Sequence, residues 1–433
     1  MNTLRIHSLT IVIIAAILFS VARPIQAEDV TLQVGITGSN SLEGLQDPVT
    51  VAQLSEVSAL LQSIADNPRS ANYIEESLSE SEADLALLVQ LGLIKPWDGG
   101  YAIGFNYLTL EDHELLVTML APYAESLAQS YRDKWPKFRE IFKAYGIKTV
   151  DMGEIAYAVL GAMSLDWDGL DITAEKNLRI TADNLPGDRD FVLWAKEQST
   201  EITVKELYWG SHNTTVNGIR FTTFGDHYSL PRHALPDLLW YVSSRVAKID
   251  NAPRALRSSV NKALAPYYQD DFLLDVGNIL GVMRDGAVSI DAISASMDAR
   301  VERTEAILTF LTEMQYVRND GDAYVIVAPY FSHADRPMLD AARELGWQLM
   351  DDWLDLNYSP VEAELDALTA RKYGIPYRQL YTQIWHYLFG LANKALVESG
   401  HFADPYSEER VSKGMFPFAF NADLIELHTE LGH

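Results

Sequence analysis

The chain has 433 residues, 48% hydrophobic and 22% charged, enough for several domains with sizeable cores. Lys and Arg total 34 against 60 Asp and Glu, a formal charge of −26, so any nucleic-acid surface would need a local basic face that overrides a repulsive field. There is no cysteine, which excludes disulfides, thiolate metal sites and a lipidated N-terminal anchor.

Residues 1–27 read as a signal peptide. Arg5 and His7 precede an apolar run, Leu9 to Val21, broken only by Thr10 and Ser20, and Ala27 closes the segment. The run is short for a membrane span, so cleavage after Ala27 is expected, with an uncleaved anchor as the alternative. No later run is long enough to cross a bilayer, which predicts no transmembrane segment after signal removal and a periplasmic or secreted location.

Residues 28–47 form an N-terminal arm with one strand, Val30 to Val34. Val49 to Ala65 predicts an amphipathic helix, with Val51, Leu54, Val57, Leu60, Leu61 and Ile64 at helical spacing. Asn67-Pro68 ends it, and short helices follow at Ser70 to Leu78 and Glu82 to Leu91, the last capped by Gly92. Leu93-Ile94 starts a strand, Pro96 to Gly100 turns, and Tyr101, Ile103 and Phe105 return. A long helical stretch then covers Glu111 to Ala144, and Ser164 to Asp171 (SLDWDGLD) reads as a surface turn with Asp171 as an N-cap.

The same pattern recurs. Asp271 to Met283, Ser289 to Met297 and Glu302 to Met314 predict helices, with Ser289 as N-cap. Tyr316-Val317, the turn Asn319 to Asp322, and Tyr324 to Val327 predict a hairpin. Without gaps, Leu88 meets Leu311 and Asp112 meets Asp335, both at an offset of 223 (311 − 88 and 335 − 112). Tyr101/Tyr324 and Tyr107/Tyr330 keep that offset. Helical stretches follow both copies, ending in Tyr145-Gly146-Ile147 and Tyr373-Gly374-Ile375. Three short helices and a β-hairpin resemble the winged helix-turn-helix superfamily over roughly 60 residues in each copy.

The expected fold is therefore mainly α with small β wings (α+β). Its parts are an arm at 28–47, winged-helix-like module 1 at 48–110, helical extension 1 at 111–172, an inserted α+β segment at 173–245, module 2 at 246–332, and extension 2 at 333–433. A gene duplication implies coupled cores in a tandem or pseudo-twofold arrangement. The resemblance implies DNA reading, but the helices argue against it. Ile74 to Gln90 carries Glu75, Glu76, Glu80, Glu82 and Asp84 and no basic residue. Ala299 to Met314 sets Arg300 and Arg303 against Glu302, Glu305 and Glu313, whereas a recognition helix presents Arg, Lys, Asn or Gln.

The densest chemistry lies in 207–240. His212, His227 and His233, with Asp226, are ligand types for zinc or another divalent metal, although their spacing fits no metal motif and structural roles compete. Ser211, His212 and Asp226 lack the elbow a nucleophile needs. Asn213-Thr214-Thr215 is a glycosylation acceptor, and Asn217-Gly218 a hairpin turn. Trp209, Tyr381 and Trp385 are ligand-binding candidates; Tyr377, Tyr381 and Trp385 also fall four apart, the spacing of a core stripe. No phosphate-binding glycine loop occurs, so no cofactor is predicted beyond a possible divalent metal. The leading expectation is an exported, non-enzymatic binding or scaffold protein with a protein partner. A metal-dependent enzyme centred on 207–240 and a DNA-binding regulator are the alternatives.

Overall fold

A computed structural model describes residues 30–38, 42–181, 191–199, 208, 211–216, 218–225, 270–284, 286, 288–313, 315–407 and 416–425. The predicted signal segment 1–27 and the candidates Trp209, Asp226, His227 and His233 lie outside the described residues. The fold is mainly helical with small sheets, as the hydrophobic periods require, and among the described residues no helix is long and apolar enough to cross a membrane.

Strand β1 (Val30–Gly38) precedes helices α1 (Pro48–Ala52), α2 (Ser55–Asp66), α3 (Ala71–Ser77) and α4 (Leu85–Gln90). The single helix expected over 49–65 is broken at Gln53-Leu54. Asp47 caps the first piece by accepting from the amides of Val49 and Thr50, both at 3.0 Å, so the chain starts a helix there and restarts at Ser55. Ser70 and Asp84 cap α3 and α4 in the same way. A hairpin follows, β2 (Ile94–Trp97) and β3 (Gly100–Ile103), then β4 (Asn106–Leu108). Asp98 and Gly99 take positive φ in its turn, which the Trp-Asp-Gly-Gly sequence tolerates.

The long stretch 111–144 is two helices, α5 (Leu110–Asp133) and α6 (Trp135–Phe142), because Pro136 starts a new helix better than it continues one. After α7 (Met152–Ala156) the backbone widens into a π-helix, Tyr157–Asp168, every residue of which is buried, and continues as α8 (Gly169–Glu175). This corrects the expected surface turn at 164–171. Asp171 lies inside α8, and Asp166 and Asp168 are core residues. Strand β5 (Phe191–Ser199) and the hairpin β6 (Ser211–Val216) and β7 (Ile219–Phe224) come next, with Gly218 at φ +79° in the expected turn.

The second half repeats the order of elements: α9 (Asp270–Met283), α10 (Ile290–Ser296), α11 (Val301–Glu313), hairpin β8 (Val317–Asn319) and β9 (Tyr324–Ile326), then β10 (Tyr330–Phe331). Helices α12 (Arg336–Glu364), α13 (Thr369–Lys372) and α14 (Tyr377–Glu398) lead to β11 (Phe416–Asn421). In each half the linker before the second helix of the trio bridges the hairpin's return strand, Arg69 to Tyr101 and Val288 to Tyr324. A capping box starts α5, Thr109 with Asp112, and another starts the 3-10 turn that leads into α12, Ser332 with Asp335, again 223 apart (332 − 109).

Sheet pairing divides the segment expected as one insert. Tyr107 of β4 pairs in parallel with Ala195 of β5, and Tyr330 of β10 pairs in parallel with Ala419 of β11. Strands β5 and β11 thus occupy corresponding places. Each has an antiparallel strand on its other edge, β1 beside β5 and β7 beside β11. So β5 completes the first half, and β6 and β7 join the sheet of the second. The apolar tail packs into the core, Phe416, Phe418 and Phe420 being fully buried.

The halves interlock through their helices. Helix α5 packs along α14 of the other half, and α12 packs along the π-helix. Tyr145, which follows the first helical stretch of extension 1, donates to the Tyr330 carbonyl at 3.1 Å and accepts from its amide at 2.8 Å. Tyr373, at the matching place in extension 2, donates to Ala65 O at 3.1 Å and meets Trp97 edge-on at 5.9 Å. Each extension therefore braces the helical trio and hairpin of the opposite half. One core holds the helices and the second sheet; a smaller one holds the first trio and hairpin, with the β1-β5-β4 sheet between them.

Candidate functional site

Side chains alternate along β5, so Leu193, Ala195 and Glu197 face the smaller core while Trp194 and Lys196 face the helices. Asn106 aligns with Trp194 and Leu108 with Lys196, which places Asn106 on the helical face too. Burying a lysine and a carboxamide here is costly. Lys196 is 9% exposed and Asn106 1%. Both polar atoms of the Asn106 side chain are buried without a hydrogen-bond partner. The Trp194 ring lies across Gly35 of β1, where any Cβ would collide with it.

The helices supply the rest. Lys196 Nζ sits 5.0 Å from the Trp194 ring centroid and 5.7 Å from that of Tyr387 on α14. The Tyr387 hydroxyl lies 2.7 Å from His113 Nδ1 on α5. Burial pushes the Lys196 ammonium down to about 7. Burial, and then the charge of Lys196, pushes His113 down to about 4. On the opposite face the Tyr107 hydroxyl donates to Glu197 Oε1 at 2.7 Å, and Leu110 N donates to Oε2 at 3.1 Å. The Glu197 carboxyl is raised, chiefly by burial.

The second half shows what this place in the fold needs. Phe420 aligns with Phe331 there, as Lys196 aligns with Leu108 here. Pro329 is the counterpart of Asn106 at the common offset of 223 (329 − 106). Apolar residues satisfy the position, so Lys196 and Asn106 are not demanded by the architecture. Nothing local in the sequence marks them, because a lysine in an alternating strand reads as solvent-facing until its partner strands are known.

A second group of buried charge lies in the π-helix. Arg343 of α12 forks onto Asp168, with Nε donating to Oδ2 at 3.0 Å and Nη2 closing on Oδ1. Burial raises the Asp168 carboxyl and the Arg343 guanidinium lowers it. Burial alone raises Asp166 to about 8. The π-helix also packs closely on α14, the Trp385 indole lying over Gly169 and its Nε1 donating to Leu165 O at 2.9 Å.

The outer face of the first helical trio is anionic. Glu75, Glu76, Glu80, Glu82 and Asp84 are all exposed along α3, α4 and their linker. Tyr73 and Val89 stand among them, 40% and 36% exposed.

The sequence candidates fall differently. Tyr381 and Trp385 are fully buried core residues, and Tyr381 packs against Tyr377 and Tyr358. His212 lies on β6 opposite Thr223, while Asp226, His227 and His233 are beyond the described residues. Asn213 sits within β6, its Oδ1 accepting from Thr222 Oγ1 at 2.7 Å. Among the described residues no group of His, Asp or Glu has metal-binding geometry. No family model, curated protein or solved structure matches the chain.

Proposed function

We propose that the chain is an exported, non-enzymatic binding protein. In this reading it is built from two winged-helix-like halves of common ancestry and makes protein contacts through the faces that, in a nucleic-acid reader, would enter a groove. The supporting observation is the outer face of α3 and α4. Residues 71–90 carry five exposed carboxylates and no lysine or arginine, with Val89 and Tyr73 as anchors, the half-buried Arg69 guanidinium packing over the Tyr73 ring at 4.9 Å. Phosphate backbones are repelled by such a face, whereas a cationic polypeptide gains both charge complementarity and an aromatic contact. The apparent signal segment supports a periplasmic or secreted setting, where no genomic DNA competes.

The test is charge reversal. Glu75→Lys, Glu76→Lys and Glu82→Lys together change exposed positions only, so the fold should persist by circular dichroism. The native complex of the mature chain, sized from an unheated envelope or culture extract, should then collapse to the free protein. A complex of unchanged size, or binding of the unaltered protein to duplex DNA at low salt, overturns the reading.

A further inference from the structure

The helical face of β5 carries a group of residues that the binding reading does not use. We propose that Lys196 is a covalent capture site for a small hydroxylated carbonyl compound, with Asn106 holding the ligand oxygen. Three observations converge. The amine is buried between the Trp194 and Tyr387 rings, at 5.0 and 5.7 Å from their centroids. Asn106 places an unpartnered donor and an unpartnered acceptor on the same face, two positions along β4 from Leu108, the partner of Lys196. The corresponding positions in the second half, Phe420 and Pro329, are apolar, so this place in the fold does not require a lysine or a carboxamide.

The chemistry fits the neighbours. A lysine kept partly neutral by burial is a nucleophile near neutral pH, which a solvated lysine is not. The Nζ lone pair forms a bond to the carbonyl carbon, and the C=O π pair moves to oxygen, which takes a proton. The nitrogen then loses a proton, the new hydroxyl takes a second proton and leaves as water while the nitrogen lone pair forms the C=N bond, and the iminium nitrogen returns that proton to leave a neutral imine. No oxidant or further reactant is needed. Tyr387, whose ring lies beside the amine, carries a hydroxyl 2.7 Å from Nδ1 of the partly exposed His113 imidazole. An amide that offers N–H and C=O together selects a ligand carrying a hydroxyl next to the carbonyl.

The probe is glycolaldehyde, applied to the mature chain at pH 7 with cyanoborohydride and followed by peptide mapping over time. Lys196 should be alkylated about tenfold faster than exposed Lys143, since burial brings the Lys196 ammonium down to about 7. Propanal, which lacks the hydroxyl, should show a smaller preference for Lys196. Asn106→Leu should slow the glycolaldehyde reaction at Lys196 while leaving Lys143 unchanged, which separates a site effect from general unfolding. The wild-type rate ratio needs no variant to fold. Lys196 reacting no faster than Lys143, or a Lys196 rate unaffected by Asn106→Leu, overturns the assignment.

Discussion

Replacing Lys196 by Met tests the buried amine directly. The side chains have similar length, so no cavity is created, and only the ionisable head is lost. In the unfolded chain the lysine titrates near 10.5; in the fold burial brings it to about 7. Between those values the unfolded state holds a proton that the folded state has released, so stability rises with pH across that window. The difference corresponds to about 5 kcal/mol at low pH, of which about 4 remains at pH 7 and about 1 at pH 10. Lys196→Met removes this penalty. Its stability advantage over the unaltered protein should therefore be about 4 kcal/mol at pH 7 and shrink by about 3 kcal/mol by pH 10. Paired urea titrations at pH 7, 8.5 and 10 measure this, because other titrating groups cancel in the difference between the two proteins. A difference that does not change with pH, or a variant less stable at pH 7 than at pH 10 relative to the parent, refutes the reasoning.

Three further outcomes are expected. Asp166→Asn should act in the opposite pH window. Its carboxyl is raised from 3.8 to about 8, so the folded state keeps a proton the unfolded state loses and stability falls between those values. The asparagine variant should be near neutral at pH 4 and more stable by about 4 kcal/mol at pH 7, read by the same titrations. Arg343→Leu strands the buried Asp168 carboxylate and should cost about 3 to 5 kcal/mol, seen as a lowered unfolding midpoint, with Asp168→Asn in the same chain restoring part of it. Expressed in a bacterial host with an envelope, the chain should yield a mature N-terminus at Glu28 by terminal sequencing and, once purified without chelators, substoichiometric metal by elemental analysis. About one tightly held metal per chain would instead favour the His212, His227 and His233 centre.

Much of the fold was legible because its signals are local. Asn319 to Asp322 and Asn217-Gly218 are turns by composition, Ser289 caps a helix by type, and the two hairpins announce themselves by alternating apolar residues around glycine. The common order of elements in the two halves was visible at an offset of 223 because no insertion separates Leu88 from Asp112 or Leu311 from Asp335. Non-local features were not legible. The pairing of β5 with β4, and of β7 with β11, joins residues far apart in sequence, so 173–245 reads as one insert although β5 pairs in one sheet and β6 and β7 in another. The acidic stretch at 164–171 reads as a solvent-facing turn because its burial depends on Arg343, 175 residues on. The candidate site suffered most. Histidine and aromatic density drew the eye to 207–240, whereas Lys196 and Asn106 carry no motif and become distinctive only when their neighbours, and their apolar counterparts in the other half, are in place.

The most direct test of the proposed function is photocross-linking in the living host. A photoreactive residue placed at Tyr73 or Val89 lies on the acidic face of the first trio, and one at Leu356, 74% exposed on α12, lies off it. Discrete adducts to a polypeptide from Tyr73 and Val89, absent from Leu356 and lost with the Glu75, Glu76 and Glu82 reversals, are the expected result. Adducts only from Leu356, or adducts that survive charge reversal, contradict it.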